Sequence, residues 1–593
     1  MLTRLDVAFS RDQAEKRYVQ HSLKENSADV WACLQRGASL YVCGDADKMA
    51  PDVHQALRDI AIEQGGLSHE QAEDYLRQLN REVRDERRRQ KLEPLYQFMV
   101  RLRLPGGVLT TDQWLGLNRI ADECADSTLR LTTRQTFQFH GVFKEQMQPF
   151  MQKIHALGLD SRGACGDVNR NVISNVNPHQ SQLHGEIHEL SLAISERLRW
   201  RSAAYAEIWL GEECVEKLGE EEEPFYGHKY LPRKFKIALA VPPENDCDVF
   251  ANDIGLIAIV EDGHIRGFNV VVGGGMGLTY GDPATYPRLA TMAGYVPKEQ
   301  IVDACEAICA IQRDFGDRTN RAHARFKYTI DDYGMDWFRE RFAEYHGQDL
   351  EKPRSFSLSR NGDRFGWVEG EDGNQHLTLL ISTGRVADTE NGMLRTALRK
   401  IAKIHNGSFR ITCNQNLVIA NVPPETVAAV DAIVEEYKLD AGNRSSPLRQ
   451  NSMACVAFPT CGLAMAEAER FLPEFVTRVE QTMAEEGLEP DAINLRITGC
   501  PNGCARPYLG EIALTGKAPG KYNLYLGADF SGQRMNRLYR ENIDTDTVLN
   551  ELRPLFRAYR QERDCQERFG DFLVRVGIVE QERTPMMLHQ PLK

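Results

Sequence analysis

The chain has 593 residues, 42% hydrophobic and 26% charged, the composition of an ordinary globular protein with room for about three to five domains. A net charge of −13 argues against a general nucleic-acid binder, while leaving room for a local cationic pocket, because the field in a cleft is set by the charges nearest to it. No apolar run has membrane-spanning length, Met1–Val7 lacks a signal-peptide core, and 14 cysteines in so long a chain do not make a disulfide scaffold, so the expectation is a cytoplasmic protein without membrane or nucleic-acid partners.

In chain order, Arg101 and Arg103 lie on a strand that ends at Leu104-Pro-Gly-Gly107. An amphipathic helix follows near Thr111–Ala125, then two short alternating strands around a turn, from Leu129 to Val142. Arg130, Arg134, Gln138 and His140 alternate on that strand pair. Arg170 lies in Asp167-Val-Asn-Arg-Asn171. Lys234 and Lys236 lie in Leu231-Pro-Arg-Lys-Phe-Lys236, and spacing two on a strand puts both on one face. Two like charges on one face are unfavourable unless an anion neutralises them. Arg325 and Lys327 alternate again in Ala324–Tyr328.

The first strand–helix–hairpin then recurs. Ile381-Ser-Thr-Gly384 is followed by a helix near Met393–His405 and a hairpin from Phe409 to Val422, with Arg130/Arg410, Thr132/Thr412 and Gln135/Gln415 in step at an offset of 280 residues. Such long-range self-similarity predicts a pseudo-two-fold molecule with a site between its halves.

Four cysteines close the argument. Cys455-Val-Ala-Phe-Pro-Thr-Cys461 and Cys500-Pro-Asn-Gly-Cys504 read C-x5-C, 38 intervening residues, then C-x3-C. Four thiolates from two loops are the ligand count of a [4Fe-4S] cluster. The spacing is neither that of a bacterial ferredoxin nor the paired C-x2-C knuckles of a zinc ribbon. Proline and glycine beside each pair supply turns that let backbone N–H groups approach sulfur. Cys305 and Cys309 also read C-x3-C, but in helical periodicity without turn residues, and are expected on the core face of a helix. Cys33, Cys43, Cys124, Cys165, Cys214, Cys247, Cys413 and Cys565 are scattered and read as ordinary thiols.

The phrases Asn451-Ser-Met-Ala-Cys455 to Cys461 and Arg496-Ile-Thr-Gly-Cys500 to Cys504 resemble the siroheme-dependent sulfite and nitrite reductases, over about Glu86 to Val579. The resemblance implies an α+β fold duplicated about a pseudo-two-fold axis, with two ferredoxin-like units and two larger cofactor-binding units. It implies boundaries at 92–160, 161–350, 351–440 and 441–593. It also implies siroheme joined to a [4Fe-4S] cluster through one shared thiolate, that of Cys504, with Cys455, Cys461 and Cys500 as the other ligands. Arg101, Arg170, Lys234 and Lys236 match the positions that coordinate the substrate and deliver protons. Arg130, Arg134, Gln138, His140, Asn171, Arg325 and Lys327 match positions at or beside siroheme. The implied reaction is the six-electron reduction of sulfite to sulfide, with reduction of nitrite, or cofactor binding without turnover, as the competing readings. Val271-Val-Gly-Gly-Gly-Met-Gly277 lacks both the P-loop Lys-Ser/Thr and the full G-x-G-x-x-G fingerprint. It reads as close backbone approach to the macrocycle or as a plain turn.

Residues 1–85 resemble something else: the C-terminal end of the flavoprotein partner of such reductases. Ser10-Arg11 with Lys16, Tyr18 and Gln20 resembles its segment for the NADPH 2′-phosphate, and Tyr41–Ala50 its last NADPH-side strand and helix. The charged run Arg81–Gln90 leads into the reductase sequence. The FMN and FAD modules are missing, so the expectation is a partial α/β NADP-domain fragment with two strands. NADPH is then used only indirectly, through a separate flavoprotein carrying FAD and FMN.

Overall fold

The computed structural model describes residues 19–35, 49–67, 97–201, 206–210, 213–218, 223–389, 392–489 and 491–580. The chain divides into two compact units. The smaller comprises Met1–Met99, Asn118–Thr128 and Phe139–Lys153. Its described N-terminal part is helical, with helices Val19–Glu25, Ser27–Gln35 and Met49–Glu63, and Val53 and Leu57 packing with Leu23, Val30 and Trp31. Ser10, Arg11, Lys16, Tyr18, the strand expected from Tyr41 and the run Arg81–Gln90 lie outside the described residues.

The larger unit comprises Val100–Leu117, Leu129–Gln138 and Ile154–Lys593, and here the duplication is plain. One sheet runs Ile173–Ser174, Ile237–Ala240, Ile254–Glu261, His264–Val272, Thr291–Pro297, the first two pairings parallel and the last two antiparallel. A second runs Ser452–Ala454, Leu495–Thr498, Ile512–Ala518, Lys521–Leu526, Arg537–Ile543 with the same sequence of parallel and antiparallel pairings. The run Ile254-Gly-Leu-Ile-Ala-Ile is buried throughout, which is why it reads as continuously apolar instead of alternating. Helix Ile301–Phe315 joins the first core, with Cys305 and Cys309 fully buried on its packed face, as its periodicity predicts. Helices Leu472–Glu485 and Thr545–Glu562 join the second.

The two smaller sheets exchange edges. Gln97–Arg101, Phe137–Phe143 and Leu129–Leu131 are completed by Arg385–Val386 from the second copy. Gly366–Glu369, Gln375–Leu379, Leu417–Val422 and Ser408–Ile411 are completed by Val108–Thr110 from the first. Trp114, fully buried, stacks on Phe409 across the copies at 4.6 Å and 14°. The turns match atom by atom. Gln135 and Gln415 both take positive φ, at 50° and 70°. A Cβ on Gly107 would meet the Ile411 carbonyl and Gln135, and one on Gly384 would meet the Leu131 carbonyl and Gln415. Among the described residues no helix is long and apolar enough to cross a membrane.

Three local readings are corrected. Arg134 lies in the turn between the paired strands, not on one of them. Lys234 and Lys236 lie in an extended run that leads into strand Ile237–Ala240, where only Phe235 bridges, to Asn169. Arg325 is the N-cap of helix Phe326–Tyr333 and Lys327 is inside it, because three residues of alternation are too few to tell a strand from a helix start.

Candidate functional site

Both cysteine pairs follow the C-terminal ends of neighbouring strands in the second large sheet. Ser452–Ala454 and Leu495–Thr498 are neighbouring parallel strands, with Ala454 opposite Ile497, so Cys455 and Cys500 emerge side by side. The loops are locked by main-chain bonds. Cys455 N donates to Ile497 O at 3.1 Å, Cys461 N to Ala457 O at 2.8 Å, and Met465 N to Gly499 O at 2.7 Å. A Cβ on Gly499 would stand 2.6 Å from both Ala457 Cβ and Ala466 O, so any other residue would force the loops apart. Gly499 N donates to Cys455 Sγ at 3.3 Å.

None of the four thiols is in a disulfide. Burial pushes the Cys455 thiol up to about 12, with Cys504 and Cys500 adding to the effect. Burial also pushes Cys500 up, with Cys504 and Cys461 adding. Cys455 and Cys500 therefore resist ionisation until a cationic group arrives. Among the described residues no three His, Cys, Asp or Glu could hold a single metal ion. A cluster does not ask for that, since each of its irons takes one thiolate. Turn-borne thiols receiving backbone N–H donors fit such a group.

The Cys504 loop faces a cavity lined by Thr133, Arg134, Lys236, Met276, Gly503, Cys504 and Arg506, among others. The glycine-rich loop packs directly on it. Leu278 N donates to Pro501 O at 3.1 Å, and a Cβ on Gly503 would lie 2.8 Å from Met276 O. Close backbone approach thus explains the glycines: Gly277 lies against Asn502 of the cysteine loop, Gly274 against the carbonyls of Phe250 and Asn252, and Gly275 against Arg325.

The basic residues around this cavity repel one another. Burial pushes the Lys234 ammonium down to about 8, with Arg325 and Arg170 contributing repulsion. Lys236 is pushed well down by burial, then by Lys234, Arg134 and Arg325. Burial likewise works against the charges of Arg134 and Arg170. The fully buried Asp253 offsets part of this, accepting from Arg325 Nη2 at 3.0 Å and from Lys236 N at 2.9 Å. Arg101 and Arg170 converge on one carbonyl, donating to Ala164 O at 3.4 and 3.1 Å. Arg101 Nη1 lies 3.2 Å from Cys165 Sγ. With its amide oxygen turned to the guanidinium, Gln138 accepts from Arg101 Nε at 3.2 Å. So many desolvated cations with so little carboxylate are stable only beside an anion.

Other residues matched to siroheme contacts have structural partners. Arg130, 2% exposed, pairs with Glu469 at 2.5 Å and donates to Ala454 O at 3.2 Å, bracing the strand that delivers Cys455. Lys327, fully buried, donates to Gly277 O at 2.7 Å and to Tyr286 O, so it caps the glycine-rich loop. Asn171 ties the Leu104 turn to the Arg134 turn: its Oδ1 accepts from Leu104 N at 2.7 Å and its Nδ2 donates to Arg134 O at 2.8 Å. His140 is buried in the smaller unit, where its carbonyl accepts from Asp126 N at 3.0 Å. Glu469→Ala leaves Arg130 buried without its carboxylate and is expected to destabilise the fold by about 3–5 kcal/mol. Denaturant unfolding reads this directly, and an unmoved midpoint would rule out the bracing role.

Sequence reasoning passed over a buried triad. Asp248 accepts from Arg496 Nη1 at 2.6 Å and from Arg506 Nε. The available signal was that these two arginines flank the second cysteine pair.

Residues 89–157 and 368–437 match the nitrite/sulfite reductase ferredoxin-like half domain. Residues 195–350 match the nitrite and sulphite reductase 4Fe-4S domain. The chain is 55% identical over 500 residues to the sulfite reductase [NADPH] hemoprotein beta-component of Staphylococcus epidermidis, covering 84% of this chain and 87% of that protein. It is also 55% identical to the protein of the same name from Myxococcus xanthus, covering 84% and 89%.

The chain belongs to the nitrite and sulphite reductase family.

The structure of the Mycobacterium tuberculosis NirA protein shares the fold, with a TM-score of 0.64 at 24% identity, covering 81% of this chain and 84% of that one. The two matches to the half domain fall on the two exchanged-edge sheets, so the family's duplication is the one seen here. The matched 4Fe-4S stretch covers most of the first large sheet, whereas the four cysteines lie on the second, its repeat.

Proposed function

We propose that the chain reduces sulfite to hydrogen sulfide by six electrons, in assimilatory sulfate reduction and cysteine biosynthesis. The observation that carries this reading is that Cys504 lines one cavity with Lys236 and Arg134. Cys455, Cys461, Cys500 and Cys504 would hold a [4Fe-4S] cluster, with Cys504 shared with siroheme. When bound, siroheme would supply an iron centre for sulfite and the cluster would supply electrons. Each turnover takes sulfite, six electrons and seven protons to HS⁻ and three waters.

The chain's own residues then have distinct tasks. Arg101 and Arg170 neutralise the oxyanion. Lys234 and Lys236 polarise its S–O bonds and give up protons as water leaves. Arg134, with Gln138, His140, Asn171, Arg325 and Lys327, shapes or faces the macrocycle's site, and Arg130 braces the cysteine strand. We divide the chain at 92–160, 161–350, 351–440 and 441–593, after an N-terminal segment of 1–85 related to a flavoprotein NADPH domain. Electrons come from a separate flavoprotein carrying FAD and FMN, which draws them from NADPH. The reducing cytoplasm suits four thiols that must remain free for iron.

The test is sulfide release by the purified chain with reduced viologen as donor, normalised to bound siroheme. Turnover on sulfite well above that on nitrite supports the reading; faster turnover on nitrite would make the chain a nitrite reductase. Bound cofactor without product would make it a non-catalytic binding protein.

The acid role of Lys234 has a pH signature. Its folded-state value lies near 8, below the ordinary 10.5, so the free enzyme loses this proton as pH rises through about 8. The expected kcat/KM falls above about pH 8, and that limb disappears in Lys234→Met. The same limb in both proteins would assign the titration elsewhere.

A further inference from the structure

Arg506 stands two residues beyond Cys504 and adopts positive φ, 50°, which a non-glycine residue takes up only when its surroundings hold it there. Its guanidinium explains the hold. Nη1 donates to Cys413 O at 3.1 Å and to Thr133 O at 3.4 Å. Thr133 and Cys413 are mates in the internal repeat, at the same offset of 280 residues as Arg130 and Arg410. One nitrogen thus grips the same carbonyl of both copies, which puts the guanidinium on the pseudo-two-fold axis. Nη2 donates to Asn414 Oδ1 at 3.2 Å, and Nε to Asp248. The grip extends to Cys504 itself: the Thr133 hydroxyl donates to Cys504 O at 3.0 Å, and Arg506 N to Gly503 O at 3.0 Å.

The charge balance is equally specific. Arg496 and Arg506, 1% and 7% exposed, share the carboxylate of Asp248; the other two carboxyls that feel Arg506, Asp246 and Asp363, are pushed up by burial and so offset little of the positive charge in the wall of the cavity that Cys504 faces. Low-dielectric surroundings make such a charge effective at short range. A cation beside a thiolate-bound redox group favours the reduced state, which carries more negative charge.

We propose that Arg506 is a positioning residue for Cys504: it fixes that thiolate at the meeting point of the two copies and raises the reduction potential of the cofactor pair joined there. The proposal rests on the cofactor reading given above, and its test separates the two. Siroheme and cluster potentials are measured by spectroelectrochemical titration of holoenzyme, and the magnetic coupling between them by electron paramagnetic resonance. Arg506→Met is expected to lower the potentials, and Arg506→Lys, which restores the charge, to return them toward the parent values. Thr133→Val changes no charge; it is expected to leave the potentials in place and weaken the coupling. Unchanged potentials in Arg506→Met overturn the electrostatic role. If that variant does not fold, Thr133→Val decides, and unaltered coupling there overturns the positioning role. A parent protein that binds no siroheme would sink the cofactor reading instead.

Discussion

Cys504→Ser will leave a protein that folds but carries no coupled cofactor pair, and its sulfite reduction will fall to background. The argument is geometric. Of the four cysteines in the two turn-borne pairs, Cys504 alone lines the cationic cavity, while Cys455 and Cys500 follow the ends of neighbouring strands. Serine keeps the side-chain volume and the turn, and its alkoxide is a far poorer partner for iron than a thiolate. The two large cores do not involve this side chain, so the unfolding midpoint of the cofactor-free protein should stay close to the parent's. The measurement is the visible and paramagnetic resonance spectrum, with sulfide assayed on the same sample. A parent-like spectrum with retained coupling would refute the bridging role.

Lys236→Met will separate chemistry from assembly. The ammonium lies in the cavity wall, where burial and then Lys234, Arg134 and Arg325 work against its charge, so that charge does not serve stability and, on the mechanism proposed above, serves the anion. Removing one preorganised charge at such a site typically costs about 10²–10³ in kcat. Methionine keeps the length and apolar stem, and the siroheme spectrum should be nearly unchanged. Relief of the like-charge repulsion should leave the variant as stable as the parent or more so. Parent-like turnover at parent-like siroheme content would remove Lys236 from the mechanism.

Much of this was legible in the sequence, for identifiable reasons. The repeat showed because Gln135/Gln415 hold matching positive-φ turns and Arg130/Arg410 the same place on the strands that lead into them. The cluster showed because thiols placed in proline- and glycine-rich turns have few structural uses. What stayed hidden was long-range pairing. Arg130 reads as a free cation until Glu469, 339 residues away, is placed beside it. Nor does the sequence show that the Lys327 ammonium donates to the carbonyls of Gly277 and Tyr286. Arg506 shows only its place beside the second cysteine pair, since its partners come from three other segments. The alternation of Arg325 and Lys327 misled because a helix cap and first turn mimic a strand over so short a window.

The exchanged edge strands bear on how the molecule is made and where it came from. Neither ferredoxin-like sheet can close using its own copy alone: the first waits for Arg385–Val386, the second borrows Val108–Thr110. On the ribosome, the first copy must therefore wait with an open edge after Phe143 until Arg385 has emerged, a stretch in which unpaired strands invite aggregation. Mutual borrowing is also what two identical subunits do when they swap strands. The arrangement is that of a strand-swapped symmetric dimer held within one chain, with the paired cysteine turns in only one of its halves.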